Sequence, residues 1–239
     1  FVYYLCQSDH TEEWSEEWFQ EYNYDSSYLG VGSTGSLLLP NLRYSCEFAF
    51  ESGRSFAWGS TDRREEIHAM AADALLEYFF QAPTHPRVSF EYLWGSGDSD
   101  RPFSGSATLG GNQAGTDDES FNAFGFRDTG LAFAPRIANL HIWQLGVSAL
   151  PLEHIDLFRK MELGTKVYFY SKHKSGGAIS DPTAFKSSSW VGWEWDVFCN
   201  WRITSDVSMT VRYGVFQPGA AFISQDCRQF FYAGLTYSF

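Results

Sequence analysis

Residues 189–203, SWVGWEWDVFCNWRI, alternate between apolar and polar almost without a break. Val191, Trp193, Trp195, Val197, Cys199, Trp201 and Ile203 share one face. Gly192, Glu194, Asp196, Asn200 and Arg202 share the other, with Phe198 as its single apolar member. A period of two is that of a β-strand, whose successive side chains point to opposite faces. Thr204-Ser205-Asp206 turns the chain. Val207, Met209, Val211, Tyr213 and Val215 then alternate with Ser208, Thr210, Arg212 and Gly214, so the pair reads as a hairpin.

The same pattern runs through the rest of the chain. Residues 161–172 set Leu163, Thr165, Val167 and Phe169 against Gly164, Lys166, Tyr168 and Tyr170, and residues 139–150 set Trp143, Leu145, Val147 and Ala149 against Gln144, Gly146 and Ser148. Residues 87–95 and 42–54 repeat it with aromatic outer faces, and 27–39 and 1–9 are weaker, Gly- and Ser-rich examples. FFYAGLTYSF at 230–239 ends the series, with Phe231, Ala233, Leu235, Tyr237 and Phe239 on its apolar face. Residues 65–80 have the Ala, Leu and Glu content of a helix. They also alternate through Met70, Ala72, Ala74, Leu76, Tyr78 and Phe80, and their neighbours decide for a strand. The sum is about ten antiparallel strands of about ten residues, each able to cross a bilayer when tilted.

A soluble sandwich turns the apolar face of such strands to a core, whereas a membrane barrel turns it to lipid and keeps the polar face inside. Three features select the barrel. The apolar faces are almost unbroken and rich in Trp, Tyr and Phe, which make up 18% of the chain, with aromatics near strand ends as interface girdles require. The polar faces mix both signs of charge with Gly. Short or moderate connections at 40–41, 82–86, 150–160 and 204–206 alternate with long polar ones at 10–26, 55–65, 96–136, 174–188 and 217–228, as periplasmic turns alternate with extracellular loops. The expected location is a bacterial outer membrane, with lipid and lipopolysaccharide around the wall. A net charge of −12 and a pI near 4.8 argue against nucleic acid.

Four cysteines, Cys6, Cys46, Cys199 and Cys227, lie far apart without metal-ligand spacing and read as small apolar residues. No signal peptide is present and residue 1 is Phe, so the chain reads as a mature protein or a segment of a longer one.

Between 91 and 150 the sequence becomes more specific. EYLWGSGDSD, a long Gly/Ser/Asp loop and FNAFGFRDTGLAFAPRIANLHIWQLGVSALPLE resemble the alginate-export family of bacterial outer-membrane porins. WVGWEWDVFCNWRI is similar to that family's G-x-E-x-D strand, and YGVFQPGAAF to its penultimate strand. The resemblance implies a monomeric eighteen-stranded barrel with a narrow polar lumen that exports a polyuronate. Residues 1–239 would then be one barrel domain, the C-terminal part of a longer barrel. An independent ten-stranded barrel is the alternative. Phe239, Tyr237 and Leu235 form a terminal signature read by the barrel-assembly machinery, a general outer-membrane feature rather than a family one.

A polyuronate conduit needs cations along its wall, and Arg forks suit carboxylates. Arg43, Arg87, Lys166, Arg202 and Arg212 fall on inward faces, together with Glu47, Glu51, Glu77, Glu91, Glu194 and Asp196. These charges conduct a polar or anionic carbohydrate, or pair across strands and stiffen the wall. Long acidic loops, with Asp98, Asp100, Asp117, Asp118 and Glu119, and with Glu12, Glu13, Glu16, Glu17 and Glu21, are either solvated or bind Ca²⁺. A surface-adhesion barrel acting through those loops is the competing function. Whether residues 96–136 fold into the lumen or project outwards separates the two. No Ser and acid share a face with His68 or His141, so no catalytic site and no cofactor are expected.

Overall fold

A computed structural model describes residues 1–8, 24–56, 64–101, 104–105 and 112–238. Its strands are β1 (Val2–Gln7), β2 (Tyr24–Ser36), β3 (Leu42–Phe56), β4 (Arg64–Phe79), β5 (Arg87–Gly95), β6 (Leu140–Ala149), β7 (Met161–Lys172), β8 (Trp190–Arg202), β9 (Val207–Pro218) and β10 (Arg228–Tyr237). Each pairs antiparallel with its neighbour in sequence, giving a ten-stranded sheet in the order β1 to β10. The helix-like composition of 65–80 yields to pairing. β4 is hydrogen-bonded to β3 along its whole length and to β5 from Ala71 to Phe79, and such tertiary context outweighs local propensity.

The pairing of the last strand with the first is not formed. β10 pairs with β9 and β1 with β2, so the sheet is open. The inner face of β10 is bare as well as the outer, Tyr232 at 48% and Phe231 at 66% exposure. Leu235 and Tyr237 are exposed on the expected face, while Phe239 lies outside the described residues.

One sheet face carries Leu29, Val31, Phe50, Met70, Leu76, Phe90, Leu145, Val147, Trp193 and Trp195, all exposed. This is the expected outer belt, with nothing of the chain covering it among the described residues. Val191 departs from it. The register between β7 and β8 shifts at Tyr170/Ser171, where Tyr170 faces Gly192 but Ser171 faces Trp190. The extra residue is a bulge, which flips the facing of everything beyond it. Val191 is therefore fully buried on the inner face, and Trp190 takes the outer one.

Gly192 makes that bulge possible, with φ of +144°. A Cβ there would sit 2.4 Å from the Gln217 carbonyl oxygen. Gly192→Ala is expected to cost about 1–3 kcal/mol, seen as a lower urea midpoint for the protein refolded in micelles. An unchanged midpoint would refute the bulge.

The described parts of the connection from β5 to β6, residues 96–101, 104–105 and 112–139, do not project away. β4 outreaches β5 by several residues, and the connection covers the bare edge. Ser96 N donates to Met70 O at 2.8 Å, Asp118 N to Glu66 O at 2.8 Å, and His68 N to Asp118 O at 2.9 Å. Unpaired strand edges are thus satisfied locally. From Phe121 onward the segment crosses the inner face as a strap. Beneath it the inner face is apolar rather than uniformly polar: Leu140, Ile142, Tyr170, Val191 and Phe216 pack with Phe133 and Ile137 of the strap. A smaller cluster joins Tyr28, Ala49 and Ala69 to Phe121.

Candidate functional site: a strapped inner wall

Wall carboxylates hold the strap by its backbone. Glu194 of β8 accepts from Leu131 N at 2.5 Å and Ala132 N at 2.7 Å through Oε1, and from Phe133 N at 2.8 Å through Oε2. Gly130, with φ of +112°, permits this close approach, since a Cβ would lie 2.8 Å from Glu194 Oε1. Glu51 of β3 accepts from Asn122 N at 2.7 Å, from Tyr24 Oη at 2.6 Å and from Tyr28 Oη at 2.9 Å. Both carboxylates are buried, so their oxygens depend on these donors. Phe133 stacks on Phe216 at 4.4 Å between ring centres and completes the anchorage.

Between the anchors the strap brings its own charges. Arg127 reaches Glu47 at 2.7 Å and Asp73 at 3.1 Å. Asp128 reaches Lys166 at 2.6 Å and accepts from Tyr168 Oη at 3.2 Å. A cavity of about 570 Å³ remains between strap and wall, lined among others by Tyr3, Asp73, Leu93, Phe124 and Arg127.

Burial raises the Asp128 carboxyl, but the Lys166 ammonium and the bonds from Gly130 and Tyr168 outweigh it and hold the group below its ordinary value. Such a group stabilises the fold above the ordinary aspartate value of about 3.9, and that contribution fades as pH falls through the lower folded value. Lys166 and Asp128 are partly exposed, so the pair is worth less than about 1 kcal/mol. Asp128→Asn is expected to lower the urea midpoint slightly at pH 7 and to remove this acid step. Equal midpoints at pH 7 and pH 3 in both proteins would refute it.

Two of the other expected loop acids, Asp98 and Asp118, serve structure, while Asp117 and Glu119 are exposed. Asp118 is buried against Arg101 and caps Ser120 N at 3.0 Å. Asp98 accepts from Asp100 N at 2.7 Å and Glu119 N at 3.2 Å. Burial, with Asp118 and Asp100 adding to it, keeps the Asp98 carboxyl above its ordinary value despite those bonds. These two aspartates are therefore neither solvated nor free for Ca²⁺. Glu12, Glu13, Glu16, Glu17 and Glu21 lie outside the described residues.

The inward cations divide into two groups. Lys166 is spent on the strap, and Arg87 sits between Glu77 at 3.5 Å and Glu162 at 3.3 Å. Arg43, Arg202 and Arg212 have no carboxylate partner among the described residues. Arg43 lies over the Phe79 ring at 5.1 Å. Arg202 donates to Ser205 O at 3.2 Å. Arg212 stands exposed opposite Phe198 and Tyr232. Asp196 is buried beside Glu194, and its Oδ1 lacks a hydrogen-bond partner.

Sequence reasoning missed three cations. Arg127 lies in the strap, where no periodicity marks a facing. Arg159 and Lys160 lie in the turn before β7 and share a cavity of about 520 Å³ with Arg87, Glu162, Asn200 and Arg202. The adjacent basic pair ahead of a strand was the available signal. Arg159, Lys160 and Arg202 thus make the groove at this short-turn end cationic, while under the strap Arg127 and Lys166 are paired and Asp196 is not.

No curated protein matches the chain. Among solved structures, the crystal structure of Pseudomonas aeruginosa OccK10 (OpdN) is similar over 90% of this chain and 53% of that one, at 16% identity and a TM-score of 0.48. The chain spans about half the length of that protein. A family model described as alginate export matches residues 2–235. With that match over nearly the whole length, the chain belongs to the alginate-export family.

Proposed function

We propose that this chain forms part of the wall of a bacterial outer-membrane channel conducting a polyanionic, alginate-like carbohydrate. The strap carries this reading. It lies across the inner face and is held there by wall carboxylates, which supports reading that face as the lumen and the strap as its constriction. An adhesion barrel would project this segment outwards. Arg43, Arg202 and Arg212, joined by Arg159 and Lys160, are lumen-side cations with no carboxylate partner among the described residues, and they hand a uronate chain onward. Arg87, Lys166, Glu47, Glu194 and Asp196 shape the wall around them.

The two open sheet edges suit a longer monomeric barrel of which these strands are the C-terminal part. Lipid and lipopolysaccharide surround its belt, and the assembly machinery reads Leu235, Tyr237 and Phe239. Its work is transport rather than catalysis. The test is a planar-bilayer recording of the full protein with oligouronates added. Anion selectivity with reversible block by oligouronates supports the reading, and cation selectivity without block overturns it.

A further inference from the structure

Two histidines at the loop end of the outer face form a cluster that a transport role does not use. His141 is the second residue of β6, on the outer face, and His173 directly follows β7. Their facing nitrogens, Nε2 of His141 and Nδ1 of His173, lie 3.2 Å apart. Tyr92 Oη sits 2.8 Å from Nδ1 of His141, and Trp94 Nε1 donates to Nδ1 of His173 at 3.3 Å.

Trp94 fixes the protons in this chain. An indole N–H can only donate, so Nδ1 of His173 carries a lone pair. His141 then donates from Nε2 to that same lone pair, which it shares with the Trp94 N–H, and Tyr92 donates to its Nδ1. Both imidazoles are neutral, the form that binds metal.

We propose that His141 and His173 chelate a divalent transition metal such as Zn²⁺ or Cu²⁺. The geometry fits. Two nitrogens about 2.05 Å from one ion and 3.2 Å apart subtend an angle of about 100°, close to tetrahedral. Each lone pair must swing roughly 40° off the present nitrogen–nitrogen axis to meet the ion at that bond length. The backbone that carries the rings is already braced. His173 N donates to Asn139 O at 3.0 Å, and Lys174 N to Asn139 Oδ1 at 2.7 Å. Asn139 Nδ2 donates in turn to Lys174 O and Ala178 O, both at 3.1 Å.

On binding, His141 moves its proton to Nδ1 and donates to Tyr92, the second-shell bond that orients metal-bound imidazoles. Water fills the open positions. Glu119, exposed and 3.6 Å from Lys174 Nζ, is a candidate third ligand after rotating its side chain. Among the described residues no group of three or more metal-ligating side chains is preassembled, so the site is a labile two-ligand one. The ion would clamp the 173–189 loop to the barrel rim.

The test titrates Cu²⁺ and Zn²⁺ into the full protein refolded in micelles, following heat of binding and Trp fluorescence. His141→Ala and His173→Ala are each expected to weaken binding at least tenfold. Trp94→Phe is expected to retain binding and lose the fraction of emission that Cu²⁺ quenches first. The proposal is overturned if affinity survives both histidine substitutions, or if it falls only with His68→Ala or His85→Ala.

Discussion

Glu194→Ala is expected to raise single-channel conductance several-fold, because it releases the strap from β8. One carboxylate accepts three backbone N–H groups from Leu131, Ala132 and Phe133. Hydrogen bonds to a charged acceptor are worth roughly 1.5–3 kcal/mol each. The three are not additive, yet losing even about 3 kcal/mol moves a docked-to-released equilibrium more than a hundredfold. The freed donors find water only by leaving the wall, and Phe133 leaves Phe216 with them.

Glu194→Gln separates anchorage from folding. Its carbonyl oxygen can still accept from Leu131 and Ala132, while its amide faces the Phe133 N–H donor to donor, so an intermediate conductance is expected. Protease added from the loop side should cut near 125–135 faster in the same order, wild type slowest. If refolded Glu194→Ala keeps wild-type conductance and protease resistance, the strap is not held by this carboxylate.

The strands were legible because every one has two chemically different faces. Even 65–80, helix-like in composition yet alternating, was decided for a strand by its neighbours, and pairing with β3 then enforces it. Failures came where information lies off the strand itself. Val191 faces inward because Ser171 on the neighbouring strand pairs with Trp190, a register that no local pattern records. Gly192 inside an otherwise regular strand was its trace, since an interior glycine often marks a bulge.

The site was half legible for the same reason. Arg43, Arg202 and Arg212 sit on periodic strands, so alternation assigns their side. Arg127 and Asp128 sit in an aperiodic strap, and their partners Glu47, Asp73 and Lys166 are distant in sequence. Which inward charges cancel and which remain therefore emerged only with the strap in place.

Removing the three unpaired strand cations together, Arg43→Ser, Arg202→Ser and Arg212→Ser, is expected to lower anion selectivity severalfold and to abolish oligouronate block. The chain's net charge of −12 says nothing about the lumen, where local unpaired charge sets selectivity. Under the strap, Arg127 is matched by Glu47 and Asp73, and Lys166 by Asp128. Arg43, Arg202 and Arg212 lack such partners among the described residues, and Arg159 and Lys160 share a cavity with Arg202.

A carboxylate about 4 Å from one unpaired cation gains about 1 kcal/mol in bulk-like water. Meeting three in succession is worth about 3 kcal/mol, or a hundredfold in block affinity at low salt. Raising salt to about 1 M shrinks the screening length to about 3 Å, so wild type should then approach the triple variant. Arg54→Gln, an exposed residue paired with Glu66 at 3.2 Å on the outer face, controls for a general charge effect and should change neither quantity. Unaltered selectivity and block in the triple variant would remove the cationic groove from the conduction path.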